Sequence, residues 1–282
     1  MVARLVAAGF EVRAYDPVEV ARAAAGEVGC AVASSAIDAI DGASVVITML
    51  PDEAAVRSVA EGDAGLVRHW RAGTLWIEMT SSLPSVTRAV AAEVVAAGGA
   101  FLDAPVSGGV AGAEAGTLTI MAAGEEAALE RARPVLEPLS ARIVHVGDRP
   151  GAGDVAKSLN NMLSAVNLTA ATEAVAIALR EGIDLRLLID VIATSTGASH
   201  AATVKVRQFA LEGRATGFTI DQYLKDLRIA LEIAAADGLA PPLATATRAA
   251  WANLAEDGEG ARDHAEVVSL LLARLGLPLP DA

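Results

Sequence analysis

The chain has one cysteine among its 282 residues, Cys30, so it cannot form an internal disulfide. A lone thiol favours a reducing compartment, and we expect a cytoplasmic protein. Glu11 and Asp16 lie where a secretory signal would need an uninterrupted apolar stretch. Charged residues also break every apolar run before the ~18 residues of a membrane span. The sequence therefore predicts neither a signal peptide nor a membrane partner.

Histidine and positive charge are also scarce. The histidines are scattered and share no metal-ligand spacing, so no metal site is expected; they are His69, His145, His200 and His264. The net charge of −13 would repel nucleic acids, which excludes them as partners. By contrast, 53% of the residues are hydrophobic, which is ample for the cores of the two domains that this length suits.

Strand-like and helical segments alternate in the first half of the chain. The strand-like runs are Glu11–Tyr15, Ala31–Ala33, Val45–Met49, Thr74–Glu78, Ala100–Ala104, Leu118–Ala123 and Ile143–Val146. The helical segments are Val18–Ala25, Ser35–Ile40, Glu53–Ala60, Pro84–Ala97 and Glu125–Leu139. This alternation predicts a parallel, doubly wound, Rossmann-like α/β sheet domain in residues 1–151. Residues 152–282 carry only helical patterns, beginning with a long helix from about Asp154 to Arg180, and predict an all-helical second domain.

Asp16 ends the first strand, where a dinucleotide-binding fold places the acid that binds the adenosine ribose. Capping of the next helix is an alternative role, and both can hold. An acid here repels the 2′-phosphate of NADP and so favours NAD. The fingerprint G-x-G-x-x-G, which should precede Asp16 by about 20 residues, is absent. We hypothesise that Met1 is a misassigned or truncated start and that a strand and a glycine loop belong upstream.

Two turns follow strands at the carboxyl edge of the predicted sheet, where ligands of open α/β sheets collect. The first contains Leu50 and Pro51, and the second contains Ser81. Contact with a cofactor and simple capping of the next helix explain both turns equally well.

The stretch from Asp103 to Thr117 is more specific. Ser107, Gly108 and Gly109 can direct a hydroxyl and consecutive backbone amides at an anion, because glycine permits both the close approach and the backbone angles. A wide turn between two strands is the alternative. It leaves the concentration of glycines in this loop unexplained.

A polar stripe marks the long helix. Lys157, Asn160, Asn161 and Ser164 are spaced i, i+3, i+4 and i+7, so they share one helical face. A lysine and two amides on a helix otherwise held in a core are costly unless they meet a polar ligand or each other. A solvated polar face is the alternative interpretation.

Together these motifs resemble the β-hydroxyacid dehydrogenase family, the 3-hydroxyisobutyrate dehydrogenase-like enzymes. The resemblance covers nearly the whole chain and is carried by AGFEVRAYDP, TMLP, EMTSSLP, DAPVSGGVAGAEAGTLTIM, GAGDVAKSLNN, YLKDLRIAL and DHAEVV. Two features depart from the family pattern. The glycine fingerprint has no counterpart, and Glu78 stands where many relatives have Asp, which we expect to be a mild change.

The resemblance implies hydride transfer between a nicotinamide cofactor and a small 3-hydroxy acid, without a metal. Lys157 would be the general acid/base, and Asn161 would bind the substrate. The substrate carboxylate would be bound by Ser107, Gly108 and Gly109. NAD, with NADP possible, would be bound by Asp16, Leu50, Pro51, Ser81 and Lys225. Candidate substrates include 3-hydroxyisobutyrate, tartronate semialdehyde and threonate-like acids, chosen by side chains such as Thr196, Ser199 and His200.

The family also implies a homodimer or homotetramer built by the helical domain. Two other functions stay open. Imine reductases share the architecture, but they usually replace the lysine, so Lys157 opposes that assignment. A dehydrogenase-like binding domain without turnover is supported by the missing fingerprint and opposed by the intact Lys157, Asn161 and Ser107.

Overall fold

The computed structural model describes residues 1–62, 64–213 and 215–277. The chain divides into two compact units, Met1–Lys157 and Ser158–Ala282. The domain boundary predicted from the sequence, between residues 151 and 152, lies six residues before the boundary between these two units. The division into a cofactor domain and a substrate domain remains a prediction.

The first unit is an α/β fold. Its strands are β1 (Arg13–Ala14), β2 (Ala31–Val32), β3 (Val45–Thr48), β4 (Leu75–Glu78), β5 (Ala100–Asp103), β6 (Val106–Ser107), β7 (Leu118–Ala123) and β8 (Ser140–Gly147). Its helices are α1 (Val2–Ala7), α2 (Glu19–Glu27), α3 (Ala36–Ile40), α4 (Glu53–Ala60), α5 (Pro84–Ala96), α6 (Gly109–Ala115) and α7 (Glu126–Leu136), with short 3-10 turns at Leu66–His69 and Glu137–Leu139.

Strands β3, β4 and β5 are parallel neighbours, and their carboxyl ends align in the register Thr48, Glu78, Asp103. Both faces of β4 are covered: Leu75 and Ile77 pack in one apolar cluster and Trp76 in another. A strand buried on both faces is what a doubly wound sheet requires. The Rossmann-like α/β class is therefore confirmed.

The sheet is mixed rather than wholly parallel, which corrects the sequence-based expectation. Strand β7 pairs antiparallel with β5 and β6, whereas β8 runs parallel to β7. The reversal arises because the chain after β5 turns back through β6 and α6 before it enters β7.

Strands β1 and β2 form a separate two-stranded parallel sheet. Within the described ranges, neither β1 nor β3 has a second strand partner. The hypothesis of an upstream strand and glycine loop stays a prediction.

The second unit is helical, as predicted. Helix α8 (Ala152–Arg180) begins in the first unit and continues into the second, where α9 (Leu185–Ala193), α10 (Ile220–Ala236), α11 (Pro242–Leu254) and α12 (Val267–Arg274) follow. Wide π-helical turns form at Ala201–Lys205, Arg207–Leu211 and Ala255–Glu259, and a 3-10 turn at His264–Glu266. One apolar cluster joins these elements, with Leu168, Tyr223 and Trp251 among its buried members.

Helix α8 is long and apolar enough, by length and composition, to cross a membrane: an 18-residue window has a mean hydropathy of 1.5. The expectation that charged residues break every such run did not anticipate this. Core helices of soluble proteins meet the same criterion. In α8, Ala165, Leu168 and Val175 lie in the apolar core of the second unit, which is the behaviour of a core helix.

Candidate active site

A buried acid links the carboxyl ends of β3 and β4. Glu78 is fully buried; its Oε2 accepts from Thr48 Oγ1 at 2.6 Å and its Oε1 from the backbone N of Thr80 at 2.8 Å. Trp76 Nε1 donates to Thr48 Oγ1 at 2.6 Å, so Trp76, Thr48 and Glu78 are linked by consecutive hydrogen bonds. Burial raises the pKa of Glu78 to about 7, although these hydrogen bonds oppose the rise.

The two predicted cofactor turns meet at the same edge. The backbone N–H of Leu50 donates to Thr80 Oγ1 at 2.8 Å, which ties the turn after β3 to the turn after β4. Helix α4 is capped by Asp52, whose Oδ1 accepts from the N of Ala55 at 2.8 Å. Helix α5 has no side-chain cap. Pro51 stands directly before the capping residue Asp52, and Ser81 stands two residues before Leu83, the N-cap of α5.

Asp16, the predicted ribose-binding acid, follows β1 by two residues. Its Oδ1 accepts from the backbone N of Val18 at 2.8 Å, but Val18 is itself the N-cap of α2 and that helix has no side-chain cap, so the capping alternative for Asp16 is wrong. The side chain is half-buried, and within the described ranges no donor is bonded to its Oδ2. An acceptor oxygen thus stays open after β1, where a dinucleotide ribose would bind.

The glycine loop is more ordered than a wide turn. Ser107 lies in β6, opposite Thr119 of β7, and Gly108 is the N-cap of α6. Gly108 and Gly109 have φ of +135° and +63°, backbone conformations that L side chains rarely adopt. A Cβ on Gly108 would also lie 3.0 Å from Leu118 Cδ2. The stretch forms a strand and a helix, so the wide-turn alternative is wrong, and this geometry favours glycine at both positions.

Asp103, which precedes this loop, fastens the start of α8. Its Oδ2 accepts from the backbone N of Gly151 and Gly153, both at 2.8 Å, and of Asp154 at 3.3 Å. The side chain is fully buried, and its Oδ1 has no hydrogen-bond partner among the described residues. Burial, together with the charge of Asp154, raises the pKa of Asp103 well above its usual range.

The carboxylate of Asp154 also holds the first turn of α8 in place. It accepts from the backbone N of Ser82 at 2.9 Å and from Thr87 Oγ1 at 2.5 Å. Lys157 follows one turn later and is 8% exposed. The helix turn that carries Lys157 is therefore held by side chains from β5 and from the start of α5.

The polar stripe on α8 is mostly buried. Lys157 and Asn161 are 8% and 5% exposed, and they lie one helical turn apart. The interpretation as a solvated face is wrong for these two residues and right for Asn160, which is exposed. Buried polar groups of this kind need polar partners or a ligand.

In the second unit, Asp226 brings Asn161 and Lys225 together. Asn161 Nδ2 donates to Asp226 Oδ2 at 2.5 Å, and Lys225 Nζ lies 3.8 Å from Asp226 Oδ1. The Asn161 amide nitrogen is thus fixed on Asp226, while its oxygen accepts from Asn160 Nδ2 at 3.2 Å.

The suggested specificity residues also belong to the second unit, where burial and the charge of Lys205 lower the pKa of His200. Thr196 and His200 are exposed, and Ser199 Oγ accepts from the backbone N of Ala202 at 3.1 Å, a capping contact. A groove of about 370 Å³ in the first unit contains none of the predicted site residues; it is lined by Arg88, Arg149, Pro150, Gly151, Ala152 and Val155. Within the described ranges, no group of three or more His, Cys, Asp or Glu is arranged to hold a metal ion.

Sequence reasoning gave no role to Asp103, Asp154 and Asp226. All three are buried acids near predicted site residues. Asp103 lies at the end of β5, Asp154 lies in the first turn of α8, and Asp226 follows Lys225. An acid at the end of an apolar strand was the available signal for Asp103. The other two are recognisable only from their long-range partners.

Two family models together span almost the whole chain. The NAD-binding domain of 6-phosphogluconate dehydrogenase matches residues 1–147, and the NAD-binding domain of NADP-dependent 3-hydroxyisobutyrate dehydrogenase matches residues 151–271. The chain belongs to the β-hydroxyacid dehydrogenase family. It is an oxidoreductase, and its nicotinamide cofactor is NAD, with NADP present in a structural neighbour.

Similar dehydrogenases are found among bacterial proteins. The NAD-dependent L-serine dehydrogenase of Pseudomonas aeruginosa is 37% identical over 96% of this chain and 93% of its own length. The 2-(hydroxymethyl)glutarate dehydrogenase of Eubacterium barkeri is 36% identical over 82% of this chain and 77% of its own. The solved 3-hydroxyisobutyrate dehydrogenase of Mycobacterium tuberculosis with L-serine has a TM-score of 0.89 and 38% identity, covering 96% and 94% of the two chains.

Imine reductases are more distant. The imine reductase of Myxococcus stipitatus with NAD+ is 18% identical and has a TM-score of 0.65. This likeness extends to the fold alone.

Proposed function

We propose that this dehydrogenase oxidises a small 3-hydroxy acid with NAD, or reduces the corresponding aldehyde, with Lys157 as the general acid/base. The observation that carries the proposal is the pair formed by Lys157 and Asn161, both buried and one turn apart on α8. In the oxidation, the neutral lysine amine accepts the hydroxyl proton; in the reduction, the ammonium returns it to the carbonyl oxygen. Bound NAD supplies the hydride acceptor.

The substrate carboxylate is assigned to Ser107, Gly108 and Gly109. The backbone angles of the two glycines let their amides approach an anion without a side chain in the way. Asn161 orients the substrate, and Asp226 holds its amide nitrogen, so the orientation is set before the substrate binds.

The cofactor is assigned to the carboxyl edge of the first unit and to Lys225. Asp16 offers an open carboxylate oxygen to the ribose, which supports NAD over NADP. Leu50, Pro51 and Ser81 belong to the two turns that the Leu50–Thr80 hydrogen bond joins. Lys225 is assigned by family likeness.

The names of three relatives suggest the substrate class. L-serine, 3-hydroxyisobutyrate and 2-(hydroxymethyl)glutarate share a hydroxymethyl group and a carboxylate on the same carbon, C2, and differ in the third substituent of that carbon. We assign substrates of this skeleton to the chain. Imine reduction and a domain without turnover are not favoured, because the proposed acid/base Lys157 is present and the family is enzymatic.

The decisive experiment compares Lys157→Met and Lys157→Arg with the unaltered enzyme. Both variants should lose kcat by about 10²–10⁴-fold on 3-hydroxyisobutyrate and L-serine, since arginine keeps the charge but cannot give up its proton at neutral pH. NAD binding, measured by calorimetry, should persist. Rescue by arginine would assign Lys157 an electrostatic role only, and full activity of Lys157→Met would refute the mechanism.

We also propose a cytoplasmic homodimer or homotetramer. The lone cysteine suits a reducing compartment. In the second unit several large apolar side chains are exposed, Ile177 by 67%, Leu187 by 63% and Val191 by 62%. Leu187 and Val191 lie one turn apart on α9, as in a helix face that packs on another subunit. Sedimentation velocity should show a dimer or tetramer, and Leu187→Glu should shift it toward monomer.

A further inference from the structure

Lysine is rare in this chain: there are three lysines against 19 arginines. Two of them, Lys157 and Lys225, are already assigned to the site. The third, Lys205, ends the π-helical turn Ala201–Lys205. Turns of this wide kind occur frequently at functional sites. Because arginine supplies most of the positive charges in this chain, a lysine in such a turn calls for an explanation.

Lys205 lies in a network of neutral polar groups. Its Nζ donates to Ser164 Oγ at 2.8 Å and to Tyr223 OH at 2.9 Å, and lies 3.5 Å from His264 Nε2. His264 Nδ1 is 3.0 Å from the carbonyl oxygen of Phe218, to which the ring donates. Burial, with the charge of Lys205, lowers the pKa of His264 to about 4, so the imidazole is uncharged at neutral pH.

Lys205 has no counter-ion in direct contact among the described residues; the carboxylate of Asp263 lies next to the imidazole instead, with its Oδ1 3.7 Å from His264 Nδ1. Within the described part of the chain, no carboxylate forms an ion pair with Lys205 at the 4.0 Å limit. Ser164 Oγ and Tyr223 OH are 3.0 Å apart, so one donates to the other. Because Lys205 donates to both oxygens, one hydroxyl hydrogen is left with no acceptor among the described residues. A surplus donor beside an unbalanced ammonium favours an anion.

The network adjoins the proposed substrate contacts. Ser164 follows Asn161 by three residues on α8, so the two share a face and are about 5 Å apart along the helix. Lys205 and Ser164 are half-buried and Tyr223 is 5% exposed, so a ligand would reach the network from the side of Lys205 and Ser164. A separation of one helical turn matches the distance between the two ends of a short dicarboxylate.

We propose that Lys205, with Ser164 and Tyr223, binds a second carboxylate on the C2 substituent of the substrate. The chain would then prefer 2-(hydroxymethyl) dicarboxylates over monocarboxylic 3-hydroxy acids. This inference rests on the proposed function, whose substrate class it narrows.

The test is the ratio of kcat/KM for 2-(hydroxymethyl)glutarate to that for 3-hydroxyisobutyrate. Lys205→Met keeps the apolar stem and should lower this ratio about 10–100-fold, as expected for lost hydrogen bonds to a charged group. Lys205→Arg should restore part of it. The matched control is Arg207→Met in the next π-helical turn, since Arg207 pairs with Asp190 at 2.7 Å and should leave the ratio unchanged.

Tyr223→Phe retains the buried ring and should lower the ratio in the same direction, so the test does not depend on one variant folding. An unchanged ratio in Lys205→Met and Tyr223→Phe, or a preference of the wild type for 3-hydroxyisobutyrate, would overturn the subsite and leave the proposed function intact. If neither acid is turned over, the proposed function fails. Calorimetric titration with 2-(hydroxymethyl)glutarate then decides: weaker binding to Lys205→Met supports the subsite, and equal binding overturns it.

Discussion

Gly153 packs directly against Asp103. The backbone N of Gly153 donates to Asp103 Oδ2 at 2.8 Å, and a Cβ on this glycine would lie 2.9 Å from the same oxygen. The contact joins the end of β5, from which the glycine loop departs, to the helix turn that precedes Lys157. One close approach thus connects the two segments to which the chemistry is assigned.

Replacing Gly153 by alanine should destabilise the protein, although alanine is the better helix former by ~1 kcal/mol. The added Cβ would meet the carbonyl oxygen of Met121 at 2.5 Å and Pro105 Cδ at 2.9 Å. Overpacking of this kind costs about 1–3 kcal/mol. Urea unfolding measures the change.

Gly26→Ala in α2 is the matched control for this substitution. Its Cβ would meet only Val32 Cγ2, at 3.5 Å, an ordinary van der Waals distance. We expect a gain of up to ~1 kcal/mol in its free energy of unfolding. Equal effects of the two alanines would contradict the packing argument.

Asp103→Ala should cost about 3 kcal/mol or more, because it leaves the buried amides of Gly151, Gly153 and Asp154 without their acceptor. Asp103→Asn retains one acceptor oxygen and should cost less. Because the Lys157 turn loses its tether, kcat should fall in the alanine variant even under conditions where it is folded. Unfolding followed by circular dichroism and steady-state kinetics on both variants measure these losses in stability and kcat. Equal stability of Asp103→Ala and Asp103→Asn would contradict the role of Asp103 in holding the start of α8.

Local signals predicted much of the fold. The long helix was expected from about Asp154 to Arg180 and spans Ala152–Arg180, because its apolar periodicity is continuous. Helix α10 (Ile220–Ala236) carries a local signal that was not used: Thr219 and Gln222 form a capping box at its start.

Tertiary contacts decided the rest. Helix α6 forms in a glycine-rich stretch of low helix propensity, where a Cβ on Gly112 would come within 3.1 Å of Leu118 Cδ2. The Lys205 network could not be predicted from the sequence, because Ser164, Lys205 and Tyr223 meet only in the folded chain. The predicted roles of Lys157, Asn161 and Lys225 came from family likeness, since periodicity alone could not separate a buried polar stripe from a solvated one.

Glu78 should make stability depend on pH. Its pKa is raised from 4.5 to about 7, so the folded state binds the proton more tightly than the unfolded state does. The stability that this provides is fully present below pH 4.5 and is lost as the pH rises through 7. The loss amounts to roughly 3 kcal/mol. Glu78→Gln mimics the neutral acid and should remove this dependence of stability on pH.

The measurement is the free energy of unfolding of wild type and Glu78→Gln at pH 5 and pH 8. The advantage of the wild type over the variant should shrink, or reverse, at the higher pH. Glu19→Gln, on an exposed glutamate of α2, is the control and should leave the dependence unchanged. Parallel curves for wild type and Glu78→Gln would show that this buried acid titrates normally. The aspartate in Glu78→Asp is too short to reach both Thr48 and Thr80. The loss in free energy of unfolding of this variant therefore tests the expectation that Glu in place of Asp is a mild change.

Asp16→Asn should shift cofactor preference toward NADP. Asparagine can still accept from the backbone N of Val18, but it removes the negative charge that repels a 2′-phosphate. Arg22 remains close by, since its Nη1 donates to the carbonyl oxygen of Asp16 at 2.5 Å. We expect the ratio of kcat/KM for NADP to that for NAD to rise at least about tenfold, a change of about 1.4 kcal/mol. Adding Arg22→Met should cancel most of that gain, because no guanidinium then attracts the phosphate. A ratio that does not move in Asp16→Asn would exclude this acid from the ribose site.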